Sequence, residues 1–346
     1  MDPLSQLPIP LLAWYRENAR DLPWRHDPDP YRVWVSEIML QQTRVAAVLG
    51  YYARFMDAYP TVRDLAEAPE DRLMKLWQGL GYYSRARNLQ KAARQIMERH
   101  GGVFPSDYAD IRALAGIGEY TAGAIASIAF GRPIPAVDGN LLRVAARVTG
   151  DDADITTAKG KKHFTAALEA VMPLETPGRF NQAMMDLGAL VCLPNGAPLC
   201  ETCPAADFCA AYQTGRTGEL PVRSAKKPRR TEDRVVFLLF HNGKIALRKR
   251  PPRGLLAGLW EYPNQLSPAD DFWETHGFAP VSAEFGGAGT HIFTHVEWHM
   301  TAQAADLPTD SLPLGWVWAG KRDWSETYAI PSAFAPFRTL VEGRLR

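Results

Sequence analysis

The sequence predicts a two-domain protein, all-helical up to about residue 210 and mixed α/β from residue 235. Its 346 residues exceed the size at which one hydrophobic core normally keeps growing. Apolar residues recur at helical spacing in the first part, whereas from Val235 onward strand-like runs flank Asn242-Gly243, a strong β-hairpin signal. Between these parts, Arg223 to Arg234 carries six basic and two acidic residues, which is typical of an extended linker.

These features predict a helical domain over 1–210, a basic linker over 211–234 and an α/β domain over 235–346. The linker either follows a phosphate backbone or only keeps the two domains apart. The composition, 46% hydrophobic and 22% charged, is that of an ordinary soluble protein. No signal-peptide-like or membrane-spanning run is evident, so we expect a cytoplasmic protein. The net charge of +1 does not indicate a nucleic-acid partner, so evidence for one must come from local patches of basic residues.

The four cysteines of the chain all fall within eighteen positions: Cys192, Cys200, Cys203 and Cys209. Four thiolates this close in sequence can converge on one metal centre. A zinc tetrahedron is one possibility, but structural zinc loops usually present two Cys-x-x-Cys pairs and this loop has one. The unequal spacing favours an iron–sulfur cubane, whose irons each take a ligand from a different direction. Two disulfides are the remaining alternative and would need an oxidising compartment.

The Asp29-Pro30 pair predicts the start of a helix that runs to about Leu49. Glu37 falls at the edge of the apolar face of this helix. Burial at such an edge raises a carboxyl pKa, which is what a general acid near neutral pH requires. The alternative is a solvated glutamate paired with Gln41 or Arg44, as most helix carboxylates are exposed.

A second chemical signal is the pair Gly116 and Gly118, flanked by Leu114 and Thr121. Glycines at this spacing permit a tight hairpin between two helices and leave N–H groups exposed at the second helix N-terminus, where a phosphate can bind. The pattern indicates a helix–hairpin–helix motif, the alternative being an ordinary helix–helix turn. Twenty residues past the hairpin, Asp138 stands at the start of another helix, which it could simply cap.

Together, the hairpin, the following aspartate and the four-cysteine loop resemble the helix–hairpin–helix DNA glycosylase superfamily with an iron–sulfur cluster. Residues 35–44, Val-Ser-Glu-Ile-Met-Leu-Gln-Gln-Thr-Arg, and 137–140, Val-Asp-Gly-Asn, are similar to the MutY-type adenine DNA glycosylases, as is the appended C-terminal domain. The resemblance covers essentially the whole chain. It implies a monomer with a [4Fe-4S] cluster that removes adenine mispaired with 8-oxoguanine or guanine in double-stranded DNA.

The resemblance implies that Glu37 protonates adenine N7 and then activates water. Asp138 would face the sugar oxocarbenium ion, either as an electrostatic stabiliser or as a transient covalent partner, as in glycoside hydrolysis. Tyr120 and Asn140 would support the two carboxyl groups by hydrogen bonding. Endonuclease III-like members have a lysine at the position of Tyr120, and its amine cuts the strand through a Schiff base. A tyrosine cannot, so we expect a monofunctional enzyme that leaves an abasic site.

The resemblance also assigns DNA contacts. The expected sets are a wedge of Gln42 and Tyr82, an adenine pocket of Arg25, Leu40 and Gln182, and phosphate contacts at Gly116 and Gly118, at the basic linker and at basic residues near the four cysteines.

The C-terminal domain resembles the Nudix fold through residues 258–263, Gly-Leu-Trp-Glu-Tyr-Pro, but lacks the Arg-Glu-x-x-Glu-Glu run that holds magnesium. Phe293, Thr294 and His295 resemble the loop that recognises 8-oxoguanine, with Thr294 where serine is common. The alternative is that they are buried strand residues, with His295 a core histidine.

Two departures from the family stand out. Seven residues separate Cys192 from Cys200 where six are usual, and Ala115 replaces a common proline in the hairpin. Two rival functions also remain, a bifunctional glycosylase/lyase and a catalytically silent lesion-binding protein.

Overall fold

The computed structural model describes residues 2–225 and 228–346. The chain forms two compact units. Unit 1 comprises Met1–Glu67 and Asn88–Lys226, and unit 2 comprises Ala68–Arg87 and Lys227–Arg346.

The N-terminal two-thirds of the chain is helical, as predicted. Its α-helices are Pro8–Asn18 (α1), Pro23–His26 (α2), Pro30–Leu40 (α3), Val45–Ala58 (α4), Val62–Glu67 (α5), Glu70–Trp77 (α6), Ser84–His100 (α7), Tyr108–Arg112 (α8), Glu119–Phe130 (α9), Gly139–Thr149 (α10), Ala158–Ala170 (α11), Pro177–Leu190 (α12) and Ala210–Gln213 (α13). Short 3₁₀ helices lie at Pro3–Gln6, Cys200–Thr202 and Ala206–Phe208.

Helix α3 begins where the sequence predicts and ends earlier. The Asp29 carboxylate accepts the N–H groups of Tyr31 and Arg32, which caps the helix. The prediction of one helix to Leu49 was wrong. The backbone takes the left-handed conformation at Gln42, with φ of +57°, and a second helix starts at residue 45. A helix cannot continue through that conformation, so the break leaves Gln42 exposed.

Four helices of unit 1 carry the residues of the predicted site. Helix α3 packs on α9, and α12 packs on both α9 and α10. The apolar side chains between α10, α12 and α1 form a continuous core, which includes Leu11, Leu141 and Phe180. Packing of this kind places the start of α10, the start of α9 and the middle of α3 close together.

Unit 2 is built on a mixed seven-stranded sheet with the order β3-β2-β1-β6-β5, in which β4 also pairs with β1 and β7 with β2. The strands are Arg230–His241 (β1), Lys244–Lys249 (β2), Trp260–Glu261 (β3), Asn264–Leu266 (β4), Ser282–Ile292 (β5), Val296–Asp306 (β6) and Trp316–Ala319 (β7). The helices of this part are Phe272–Thr275 (α14), Lys321–Glu326 (α15) and Arg338–Arg344 (α16), with a 3₁₀ helix at Ser332–Phe337.

Strands β1 and β2 form the predicted hairpin around Asn242-Gly243. His241 pairs with Lys244 across the turn, and both turn residues have positive φ. Strand β1 also pairs in parallel with β6 along almost its whole length, whereas the other strand pairs of the described residues are antiparallel. Apolar side chains cover both faces of β1 with two clusters, so the sheet is buried on both sides.

Strand β1 begins at Arg230, earlier than the predicted end of the linker. Arg234 is therefore a sheet residue, where it pairs with Glu232 at 2.8 Å and lies over the Trp298 ring at 4.5 Å. Arg234 thus contributes its charge to contacts within the sheet of unit 2. Lys226 and Lys227 lie outside the described residues, and Arg223 and Arg229 are exposed.

Residues 68–87 belong to unit 2 although they precede most of the helical unit in sequence. Lys75 Nζ donates to the Tyr328 carbonyl at 3.0 Å, and Gln78 Nε2 donates to the Ile330 carbonyl at 2.8 Å. These bonds hold α6 against the C-terminal part of the unit. The domain boundaries at 210 and 235 stay a prediction. None of the described helices has the length and hydrophobicity of a membrane span.

Candidate active site

Glu37 lies in the interior of unit 1. Its helix α3 packs on α9, so the residue is only 4% exposed, and the Tyr120 hydroxyl donates a hydrogen bond to its carboxylate. The alternative of a solvated, surface-paired glutamate is therefore wrong for the fold. A solvated glutamate was a plausible alternative because one apolar face was expected, whereas seven of the nine residues of α3 after Tyr31 are buried.

Burial raises the pKa of Glu37 to about 7. The hydrogen bond from Tyr120 lowers this pKa, the negative charge of Asp138 raises it, and the charge of Arg25 lowers it again. Desolvation outweighs these smaller effects because the carboxylate is shielded from water. Glu37 is thus protonated in a substantial fraction of molecules at neutral pH, which suits a general acid.

Asp138 caps helix α10 and is held by three hydrogen bonds. Its Oδ1 accepts the N–H groups of Asn140 and Leu141, and its Oδ2 accepts Asn140 Nδ2, each at 2.8 Å. The capping interpretation is correct, and it fixes the carboxylate in one orientation. Burial raises the pKa of Asp138, although the bonds from Leu141 and Asn140 lower it. Its charge acts on Glu37, so both carboxyl groups belong to one electrostatic site.

A pocket opens beside Glu37 and Tyr120. Asp138 and Asn140 are not among its lining residues. The side chains that line it are Arg20, Leu22, Trp24, Arg25, Val33, Ser36, Glu37, Leu40, Val45, Tyr120, Ile128, Gln182 and Met185. Arg25, Leu40 and Gln182, which the sequence singles out for an adenine pocket, thus line the same cavity as Glu37.

Sequence reasoning missed Asp186, which orders one wall of this cavity. Its side chain is fully buried on α12, and it forms ion pairs with Arg20 at 2.6 Å and Arg25 at 2.7 Å. Tyr15 Oη also donates to Gln182 Oε1 at 3.0 Å. The only sequence signal was a lone aspartate in an apolar helix, and its partners lie more than 160 positions away.

The predicted hairpin lies between α8 and α9. Leu114 and Ile117 are buried, whereas Gly116 and Gly118 are exposed. Gly116 has φ of +76°, which favours glycine. In the described part of the chain, the N–H groups of Gly116 and Gly118 have no hydrogen-bond acceptor. Two N–H groups without an acceptor, on exposed residues just before the N-terminus of α9, are suited to an anion.

Residues predicted to form the wedge are exposed in strained turns. Gln42 follows the break of α3. In unit 2, Tyr82 has φ of +46° and is 45% exposed. Its hydroxyl lies 2.9 Å from the Thr294 hydroxyl, so these two predicted DNA-contact residues meet within one unit.

Phe293, Thr294 and His295 form the loop between strands β5 and β6, rather than part of one strand. Thr294 and His295 are exposed, so the alternative of a buried core histidine is wrong. The Phe293 ring packs edge-on against Trp298 at 4.9 Å, which anchors the loop to the sheet.

The four cysteines line one pocket, together with Arg147. All four are free thiols, which excludes the two-disulfide alternative in this structure. Arg147 Nη1 lies 3.3 Å from Cys192 Sγ, so a cation faces the position of a thiolate. Burial raises the pKa of Cys203 to about 12. The Cys203 thiol therefore needs a bound cation to be ionised at neutral pH.

No three His, Cys, Asp or Glu side chains in 2–225 and 228–346 are close enough together to hold one metal ion. In a four-iron cluster each thiolate binds a different iron, so the ligands are farther apart than around a single zinc. The four cysteines nevertheless line one pocket, a donor set of the kind that metal centres use.

Comparison with known proteins identifies the family. Residues 35–170 match the HhH-GPD superfamily base excision DNA repair proteins, and residues 235–340 match the NUDIX domain. The Mus musculus adenine DNA glycosylase is 36% identical, over 91% of this chain and 73% of its own length. The Homo sapiens adenine DNA glycosylase is 35% identical over 96% and 73%, and that of Buchnera aphidicola 36% over 75% and 74%.

Solved structures agree for the helical part. A thermostable thymine-DNA glycosylase superposes with a TM-score of 0.56 and 29% identity, covering 61% of this chain and 97% of that one. A trapped endonuclease III–DNA covalent intermediate gives a TM-score of 0.52 and 25% identity, with coverage of 61% and 98%. With a helix–hairpin–helix glycosylase fold, a C-terminal Nudix-like domain and relatives that match most of its length, the chain belongs to the MutY-type adenine DNA glycosylase family.

Proposed function

We propose that this protein hydrolyses the N-glycosidic bond of adenine paired with 8-oxoguanine, or with guanine, in duplex DNA. The observation that carries the proposal is the buried Glu37, whose pKa of about 7 and hydrogen bond from Tyr120 equip it as an acid in a cavity. The names of the curated relatives support adenine in DNA as the substrate.

Cleavage of the N-glycosidic bond requires that adenine become a better leaving group and that the cationic sugar be stabilised. Glu37 donates its proton to adenine N7, which makes the base a neutral leaving group. Asp138, fixed by Asn140 and by the N-terminus of α10, presents negative charge to the oxocarbenium ion. The Glu37 carboxylate then takes a proton from the attacking water, so one residue serves as acid and then as base.

The adenine must leave the duplex to reach Glu37. Extrusion of a base costs a few kcal/mol, and a mispair reduces that cost. The exposed Gln42 and Tyr82 act as wedges that occupy the gap, while Arg25, Leu40 and Gln182 enclose the extruded base. The N–H groups of Gly116 and Gly118 bind a backbone phosphate and hold the duplex in register.

The reaction ends at an abasic site. Tyr120 has no amine with which to form a Schiff base, and its hydroxyl is engaged by Glu37. The amine nucleophile that a lyase reaction needs is therefore missing at position 120, and we propose a monofunctional enzyme.

Recognition of the opposite base falls to the exposed loop of Phe293, Thr294 and His295. An 8-oxoguanine differs from guanine by an N7–H donor and an O8 acceptor. The Thr294 hydroxyl can accept the first and donate to the second. The exposure of Thr294 and its contact with Tyr82 support this assignment.

Cys192, Cys200, Cys203 and Cys209 would hold a [4Fe-4S] cluster. Bound there, the cluster would tie the loop after α12 to the end of α10 and keep cations such as Arg147 oriented. The seven-residue spacing between the first two cysteines is accommodated by an exposed loop, residues 193–199. The protein would act as a monomer in the cytoplasm, at the nucleoid in a bacterium.

Three duplexes test the proposal, containing adenine opposite 8-oxoguanine, guanine and thymine. We expect strand cleavage only after alkali, fastest for the 8-oxoguanine pair and slowest for thymine. Cleavage without alkali would instead establish a glycosylase/lyase. Tight binding without release of adenine would establish a lesion-binding protein, and equal rates on all three duplexes would refute recognition of the opposite base.

A further inference from the structure

The hairpin between α8 and α9 is held from behind by one face of α7. Leu114 and Ile117 anchor it to the core, but between them the backbone runs through half-buried Ala115 to exposed Gly116. A backbone N–H at such a position needs an acceptor, because leaving it unpaired is unfavourable.

That acceptor comes from a distant side chain. The Ala115 N–H donates to Gln95 Oε1 at 2.8 Å, across 20 positions of sequence. Gln95 lies in the middle of α7 and is half-buried. Its amide oxygen therefore fixes the backbone immediately before the two outward-facing N–H groups.

Asn88, two helical turns earlier on α7, touches the next hairpin residue. A Cβ atom on Gly116 would lie 2.5 Å from the Asn88 Cβ, so the hairpin backbone is in close contact with α7 there. Positions seven apart lie on the same face of a helix. Gln95 and Asn88 thus support successive residues of the hairpin from one helix face.

We propose that Gln95 is a positioning residue for DNA binding, which aims the N–H groups of Gly116 and Gly118 at a backbone phosphate. The inference rests on the proposed phosphate-binding role of this hairpin. It predicts an effect on every duplex, damaged or not, since a phosphate contact carries no sequence information.

A double-mutant cycle tests it with Gln95→Met, which keeps the length of the side chain and removes the acceptor, and Ala115→Pro, which removes the donor. Affinity is measured by fluorescence anisotropy for an undamaged duplex and for one with 8-oxoguanine opposite a non-cleavable adenine analogue. We expect Gln95→Met to weaken binding of both duplexes about fivefold, the scale of one hydrogen bond. In the Ala115→Pro background the same change should have no further effect.

An equal effect of Gln95→Met in both backgrounds, or no effect in either, would overturn the inference. The affinity for the undamaged duplex reports on the hairpin without any adenine release. It therefore tests the inference even if the protein does not release adenine.

Discussion

At the scale of single residues, Glu37 and Asp138 show how one site gives two carboxyl groups different tasks. Both are desolvated, but Asp138 accepts three hydrogen bonds, whereas the Glu37 carboxylate accepts one from Tyr120. Hydrogen bonds to a carboxylate favour its charged form. Glu37, with its pKa raised to about 7, can therefore keep its proton near neutral pH, whereas the hydrogen bonds to Asp138 oppose the effect of burial on its pKa and favour its charged form.

The first prediction concerns the pH dependence of adenine release. Glu37 must be protonated, so the single-turnover rate should be nearly constant at acidic pH and fall above a pKa of about 7. Well above that value the decline should approach about tenfold per pH unit. Rapid-quench assays at saturating enzyme measure this rate. A rate that increases as the pH rises from about 6 to about 9 would argue against the acid role.

The second prediction concerns stability. Folding raises the pKa of Glu37 from 4.5 to about 7. The contribution of Glu37 to the free energy of unfolding is therefore complete below the pKa of the unfolded state and is lost as the pH rises through the pKa of the folded state. Glu37→Gln should therefore stabilise the protein at alkaline pH by on the order of 2 to 3 kcal/mol, and very little at pH about 4.5. Calorimetric melting of both proteins at the two pH values measures this difference. An equal change in Tm at both would contradict it.

At the scale of elements, the two glycines of the hairpin between α8 and α9 have different roles, one in the turn and one in ligand access. Gly116 has positive φ and no room for a side chain, while a Cβ on Gly118 would meet no atom within 4 Å. The first glycine is required by the turn. The second is free to be approached closely by a ligand.

The third prediction compares these two glycines. Gly118→Ala should leave the melting temperature unchanged and weaken DNA binding about fivefold, because the methyl group intrudes between the N–H and a phosphate. Gly116→Ala is the matched variant and should destabilise the fold on the order of 1 to 3 kcal/mol through strain and its clash with Asn88. Wild-type affinity for Gly118→Ala would show that no phosphate approaches there.

Local signals sufficed to predict some of these elements. Asp29 and Pro30 marked the start of α3, and Asn242-Gly243 marked a hairpin, because caps and turns depend on adjacent residues. The break of α3 before Val45 escaped prediction, since no glycine or proline marks it. Asp186 and Gln95 also escaped it. Their partners are distant in sequence, and only the packing of helices brings them together.

At the scale of the whole molecule, the chain combines a helical unit that carries the acid with a sheet unit that carries the loop of Thr294. The segment 68–87 is covalently part of the helical half and yet packs within unit 2, where it brings Tyr82 to Thr294. Chain connectivity alone could not predict that. The family resemblance, in contrast, covered the whole chain and was confirmed by both domain matches.

The fourth prediction is the metal content of the purified protein. We expect about four iron atoms and about four acid-labile sulfides per chain, as a four-cysteine cubane requires. Cys203→Ser should lower the iron content and the melting temperature together, because buried thiols without metal no longer tie α10 to the loop. Ser311→Ala, at an exposed position outside the cysteine pocket, is the control. One zinc per chain, with little iron, would show that the four cysteines bind a structural zinc ion instead of a cluster.

The central claim is that the proton of Glu37 releases adenine, and Glu37→Gln tests it most directly. Single-turnover release from a duplex with adenine opposite 8-oxoguanine is measured beside the affinity for the same duplex. Release should fall by at least about a hundredfold, the scale of general acid catalysis, while affinity stays close to that of the wild type. Retained turnover in this variant would contradict the account.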